Sequence, residues 1–242
     1  MSLVIENPAQ SPILPQPVRT SATQWTVGDL AARFGAIPLS RIVIDPAPGT
    51  ATEEDVLWLD DHEDCLCELI DGTLVEKTMG WFESWLAANL IGILKDFVTQ
   101  RNLGIILGPD GMLKLFPDQV RIPDVCFISW ERYAKRPKVK ERILSVAPDL
   151  AAEIISGGNT PQEMDRKLRE YFESGTRLVW YFYLDKREVH VYTAVEQVQV
   201  LNESGTLDGG EVLPGFSLPL TGFFDEPQPP SAPDSGERTT PQ

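Results

Sequence analysis

Histidine is nearly missing from this chain of 242 residues. Only His62 and His190 occur, one in an acidic run and one in a strand-like stretch. Neither has an elbow-like nucleophile nearby, which argues against a Ser-His-Asp hydrolase. Cysteine is scarce too. Cys65, Cys67 and Cys126 make an odd number, a poor disulfide framework, and Cys65-Leu66-Cys67 lacks the second Cys pair of a zinc site. Core or edge thiols in a reducing, cytoplasmic setting are expected. No run approaches the ~20 apolar residues that span a bilayer. The first eighteen residues lack the basic and apolar regions of a secretory signal, and no glycine-rich loop of the P-loop or dinucleotide type occurs.

Positive charge is also short, with 21 Lys and Arg against 36 Asp and Glu and a net charge of −15. That balance opposes nucleic-acid binding, whose affinity comes from Lys and Arg on phosphates. The excess is concentrated, however. Residues 45–64 hold eight acids and no Lys or Arg, and residues 203–242 hold seven acids and only Arg238. The remainder lies within one charge of neutral. Within it Arg132, Lys135, Arg136, Lys138, Lys140 and Arg142 stand against one acid, Glu141. Such a run is either a solvated loop or a phosphate-contacting one. Its first five bases are the candidate nucleic-acid contacts.

The organisation is that of one domain with arms. Residues 1–24, rich in Pro, Ser and Gln, are expected to be a disordered arm, and 225–242 a disordered acidic tail. Between them, 25–224 forms a single domain with a short helical extension over 25–51. That extension carries a helix at Val27 to Phe34 and a Pro-rich linker at 42–51. Thr52 caps a second helix. Asp71-Gly72 between two apolar runs signals a hairpin. Trp81 to Gln100 is the longest helix, followed by strands at Gly104–Leu107, Gly111–Phe116 and Asp124–Ser129. Pro148 to Ser156 is a strand, and Thr160-Pro-Gln-Glu163 is a capping box opening a helix to about Ser174. A hairpin at Arg177–Leu184 and Glu188–Thr193, then two or three shorter strands, complete the domain. The class is α+β, a mixed sheet flanked by helices with an additional β-hairpin region.

The chemistry sits in acids embedded in apolar strands. Glu153, in Leu150-Ala-Ala-Glu-Ile-Ile, has apolar neighbours on both faces. A carboxylate there needs a cation, a hydrogen-bond partner or a raised pKa. Asp124 follows Pro123 and opens an apolar strand, and Glu68 lies in Cys67-Glu-Leu-Ile70. Two or three carboxylates suit Mg²⁺ or Mn²⁺, with waters completing the shell. On the helix after Glu153, Met164, Leu168, Tyr171 and Phe172 make an apolar stripe. Lys167 falls at its edge, best placed to reach inward, while Arg166 and Arg169 point away.

Together these residues resemble the PD-(D/E)XK nuclease superfamily. The fuller set is similar to its Uma family of restriction-type endonucleases: Cys67-Glu-Leu-Ile-Asp-Gly-Thr-Leu-Val-Glu76, Val120-Arg-Ile-Pro-Asp-Val125, Ala152-Glu-Ile-Ile-Ser156, Asn159-Thr-Pro161 and Lys167-Leu-Arg-Glu-Tyr171. The resemblance runs from about residue 52 to 224. It implies a restriction-endonuclease-like fold and Mg²⁺- or Mn²⁺-dependent hydrolysis of nucleic-acid phosphodiesters, with DNA favoured. Asp124 and Glu153 would hold the metal, Glu68 would be an accessory ligand or water-orienting acid, and Lys167 the catalytic lysine. Two departures stand out. Ile155 occupies the place of the superfamily's usual lysine, and Ser156-Gly157-Gly158 replaces the Ser-Pro-Ser of family members. The alternative is a catalytically degenerate nuclease fold that binds nucleic acid or a protein partner. Cutting both strands of a duplex takes two sites, so a homodimer is the compatible assembly.

Overall fold

The structure is a computed structural model that describes residues 25–138, 141–155 and 157–229. The arm expected over 1–24, the tail from 230 onward, Lys140 and Ser156 lie outside the described residues.

A six-stranded sheet forms the centre, in the order β10-β9-β8-β7-β6-β3. Its strands are β3 (Gly104–Leu107), β6 (Val125–Ser129), β7 (Leu150–Ile155), β8 (Leu178–Tyr183), β9 (Glu188–Ala194) and β10 (Gln197–Asn202). Only β7 and β8 run parallel; the helix α5 (Pro161–Glu173) makes the crossover between them. The strand β7 is buried along its whole length because both faces are covered. Side chains alternate faces. Leu150, Ala152 and Ile154 pack with Val125, Phe127, Trp180 and Phe182 in the cluster that contains Leu86, Leu90 and Leu94 of α3 (Trp81–Arg101). Ala151 and Ile155 pack with Met164, Leu168 and Tyr171 of α5. Glu153, in phase with Ala151 and Ile155, is therefore directed at α5.

A second, antiparallel sheet has the order β2-β1-β5-β4. It contains β1 (Cys67–Ile70), β2 (Thr73–Glu76), β4 (Leu113–Phe116) and β5 (Gln119–Arg121). At the β1–β2 turn, Asp71 and Gly72 both have positive φ, which an Asp-Gly pair tolerates. The strand β5 is absent from the sequence reading: three residues are too few to show alternation, and Pro117-Asp118 reads as an end rather than a hairpin turn. The helix α2 (Glu53–His62) opens at the Thr52 capping box and packs on this sheet through Val56 and Leu59. A small sheet of β11 (Thr206–Gly209) and β12 (Leu213–Pro219) adds Leu207, Leu213 and Phe216 to the α3 side of the core.

Three local expectations are corrected. Residues 42–51 are no linker, since Ile42 bridges Val75, Val43 N–H donates to the Leu74 carbonyl, and Ala51 N–H donates to that of Gly72. The basic segment opens with a short helix, α4 (Trp130–Lys135), capped by Ser129, which its charge density hid. Arg166 does not point away: it pairs with Asp71 at 2.9 Å and Glu170 at 2.6 Å. The helix α1 (Val27–Phe34) docks Leu30 and Phe34 onto Ile70 and Val75, as an amphipathic helix must. All three cysteines are free thiols, with Cys67 and Cys126 buried. No helix among the described residues is long and apolar enough to cross a membrane.

Candidate active site

Four elements converge where the two sheets meet. Asp124 precedes β6 and lies beside β7, its Oδ2 accepting the Ile154 N–H at 2.7 Å. Glu153 comes from β7, Glu68 from β1 and Lys167 from α5; all four are buried. They line a cavity of about 20 Å³ together with Lys77 and Glu83, room for about one water-sized species.

Lys167 lies between two carboxylates. Its Nζ is 3.1 Å from Glu68 Oε1 and 3.3 Å from Glu153 Oε1. Tyr171, one helical turn on, donates its hydroxyl to Glu153 Oε1 at 2.5 Å. Glu68 is fully engaged as well: Arg121 donates to its Oε2 at 2.7 Å, and the Ile122 N–H to its Oε1 at 3.1 Å. Arg121 reaches on to Glu170 of α5 at 2.7 Å and is only 1% exposed. This arginine thus ties the second sheet to the helix that carries Lys167.

The charge states follow from these contacts. Burial pushes the Glu153 carboxyl up to about 7; Lys167 opposes that rise, and nearby Asp124 adds to it. Burial acts likewise on Glu68, but Lys167, Arg121 and Lys77 overcome it and hold that carboxyl at about 2. Burial disfavours the Lys167 ammonium, yet Glu153 and Glu68 outweigh it and raise its pKa above the ordinary lysine value. At Glu153 burial outweighs the pull of Lys167, the reverse of the balance at Glu68.

Asp124 and Glu153 present hard oxygen donors to a small cavity. One or two carboxylates are the donors that Mg²⁺ or Mn²⁺ takes, and here Lys77 and Lys167 hold them in a cavity with room for about one water-sized species. No group of three or more His, Cys, Asp or Glu side chains able to hold a metal occurs among the described residues. Glu68 has both oxygens committed to Arg121, Lys167 and Ile122.

The loop between Glu153 and α5 is braced from outside. Arg41, in a 3₁₀ turn, donates to the Gly158 carbonyl at 3.3 Å and to both oxygens of Glu163 at 3.1 and 2.9 Å. Gly157 and Gly158 have open space around them.

The structure does not bring the basic segment to this place. Since β6 and β7 are antiparallel, with Val125 opposite Ala152 and Phe127 opposite Leu150, Ser129 and α4 lie at the far end from Asp124 and Glu153. Arg132 pairs there with Asp149 at 2.9 Å, Lys135 with Glu131 at 2.7 Å, and Arg136 lies over the Tyr133 ring. Lys138 is exposed, and Arg142 bridges Asp60 and Asp61.

Sequence reasoning missed Arg121, Tyr171 and Lys77 as members of the site. A base between Val120 and Ile122 carries the same signal that marked Glu153. Tyr171 was hidden in the apolar stripe of α5. Lys77 shares a strand face with Val75.

A mixed sheet flanked by α3 and α5, with one acid just before β6, another on the neighbouring β7 and a helix-borne lysine between carboxylates, defines a protein of the restriction-endonuclease-like fold class. The Uma2 family, described as "Putative restriction endonuclease", matches residues 53–221, and the chain belongs to that family. A solved structure similar in fold is a putative nuclease belonging to DUF820 from Anabaena variabilis ATCC 29413. It shares 19% identity at a TM-score of 0.59, over 66% of this chain and 90% of that one. No curated protein matches the sequence significantly.

Proposed function

We propose that the protein is a Mg²⁺- or Mn²⁺-dependent endonuclease that hydrolyses phosphodiester bonds of nucleic acid, DNA before RNA. The observation that carries this reading is the buried cluster of Asp124, Glu153 and Lys167, drawn from separate elements into one small cavity. Asp124 and Glu153 would hold the metal. A bound metal would lower the pKa of a water and polarise the phosphate.

Lys167 stays protonated, because Glu153 and Glu68 favour its ammonium. It therefore acts as a cation rather than as a base: it orients the attacking water and stabilises the negative charge that develops on the phosphate oxygens. Glu68 and Tyr171 position the pair, Glu68 by anchoring Lys167 and Tyr171 by fixing the Glu153 carboxylate. Attack on phosphorus would be in line: the water oxygen bonds to phosphorus as the bond to the ester oxygen opposite breaks, and the proton the water gives up would pass through solvent to the departing oxygen. Arg132, Lys135, Arg136 and Lys138 would meet backbone phosphates away from the cleavage point, and a homodimer would place two sites on a duplex.

Nicking of supercoiled plasmid that requires Mg²⁺ or Mn²⁺ and disappears in Asp124→Ala tests the reading. The second reading, a degenerate fold that only binds nucleic acid or a protein, is favoured by one observation: Asp124 and Glu153 each already hold an ammonium group. It predicts no cleavage and no Mn²⁺ binding.

A further inference from the structure

Lys77 has no part in the scheme above, yet it lines the same cavity. It follows β2 directly, and its side chain is only 9% exposed. Its Nζ lies 2.8 Å from Asp124 Oδ1 and donates to the Ile122 carbonyl at 2.6 Å. The other Asp124 oxygen is taken by the Ile154 N–H. The oxygen left to receive a cation is thus the one that already holds an ammonium. Lys167 differs, because Glu68 anchors it as well as Glu153.

Resting on the reading of Asp124 as a metal ligand, we infer that Lys77 is a tethered counter-ion that competes with the divalent cation for Asp124. Two cations on one carboxylate oxygen repel at short range in a buried site, so entry of the metal requires Lys77 to withdraw. In the metal-free protein the same lysine spares Asp124 the cost of lying buried and unpaired. Lys77 thereby keeps the empty site stable and raises the concentration of metal needed to fill it.

The test is calorimetric titration of Mn²⁺ into the full chain and its variants, with melting temperatures taken in EDTA and in Mn²⁺. Lys77→Met should bind Mn²⁺ at least about tenfold more tightly than the unaltered protein, since it removes the competitor. It should melt lower in EDTA, with the gap closing in Mn²⁺. Lys77→Arg, which keeps the charge, should behave like the unaltered protein. Lys77→Gln serves as a second neutral variant if the methionine does not fold. Mn²⁺ affinity unchanged or weakened in the neutral variants, with a melting gap that Mn²⁺ does not close, would make Lys77 a structural prop and overturn the inference. Asp124→Asn separates the two readings. If it binds Mn²⁺ as well as the unaltered protein, the metal assignment fails and the inference with it. If it loses Mn²⁺ while Lys77→Met gains nothing, the inference alone fails.

Discussion

Lys167 of α5 and Glu153 of β7, fourteen residues apart in sequence, meet at 3.3 Å in the buried space between helix and sheet. Strand alternation aims Glu153 at α5, and the stripe of Met164, Leu168 and Tyr171 holds α5 with Lys167 facing the strand. Lys167→Met should lower plasmid cleavage by about 100-fold or more, the usual loss when a charge-stabilising donor is removed. It leaves two buried carboxylates without their shared cation, so urea unfolding should show a loss of roughly 3–5 kcal/mol. Cleavage at the unaltered rate would remove Lys167 from the chemistry.

Acidity should reveal Glu153. Its folded pKa of about 7 stands above the ordinary 4.5, so its protonated form stabilises the fold below about 4.5, and that contribution is lost as pH rises to about 7. The group alone amounts to roughly 3 kcal/mol at most. Glu68 has the opposite sign. Held at about 2, it stabilises the fold above 4.5 and loses that effect as pH falls toward 2. Glu153→Gln should therefore flatten the metal-free stability profile between 4.5 and 7 while sparing the acid limb, measured by urea unfolding across pH.

Arg121 should prove structural in a way that reaches the site. Arg121→Met removes the cation shared by the buried Glu68 and Glu170, leaving Lys167 on the one and Arg166 on the other, and should cost about 3–5 kcal/mol. In a double-mutant cycle with Glu68→Gln the two losses should couple by about 1 kcal/mol or more. Strict additivity would mean that the 2.7 Å contact carries no energy.

Much of this arrangement is legible in the sequence, because periodicity and embedded charge are local signals. The helices from Val27, Glu53, Trp81 and Pro161 announce themselves through caps and spacing, and the β1–β2 hairpin through Asp71-Gly72. Glu153 stands out because only apolar residues flank it. Long-range partners are a different matter. That Arg121 joins Glu68 to Glu170, or that Arg41 braces Gly158 and Glu163, depends on how two sheets pack, and no spacing in the chain encodes it. Lys77 reads as the polar end of a strand until Asp124 arrives beside it. The placement of the basic segment at the far end of β6 follows only once the β6–β7 register is known.

The basic segment offers a binding experiment independent of cleavage. Lys135 and Lys138 are exposed, and the Lys135–Glu131 pair is of the weak surface kind. If they meet phosphates, Lys135→Ala and Lys138→Ala should each weaken DNA binding across sequences and reduce the slope of log affinity against log salt by about 1. Fluorescence anisotropy over a salt series reads this, and unchanged slopes would confine the segment to a solvated surface.

The decisive measurement is nicking of supercoiled plasmid by the purified protein in Mg²⁺ or Mn²⁺, beside Asp124→Asn and Glu153→Gln variants whose circular dichroism matches the unaltered protein. A metal-dependent nuclease built on these two carboxylates nicks the plasmid, stops in EDTA and loses activity in both variants. Nicking that persists in either variant, or that proceeds unchanged in EDTA, would contradict it.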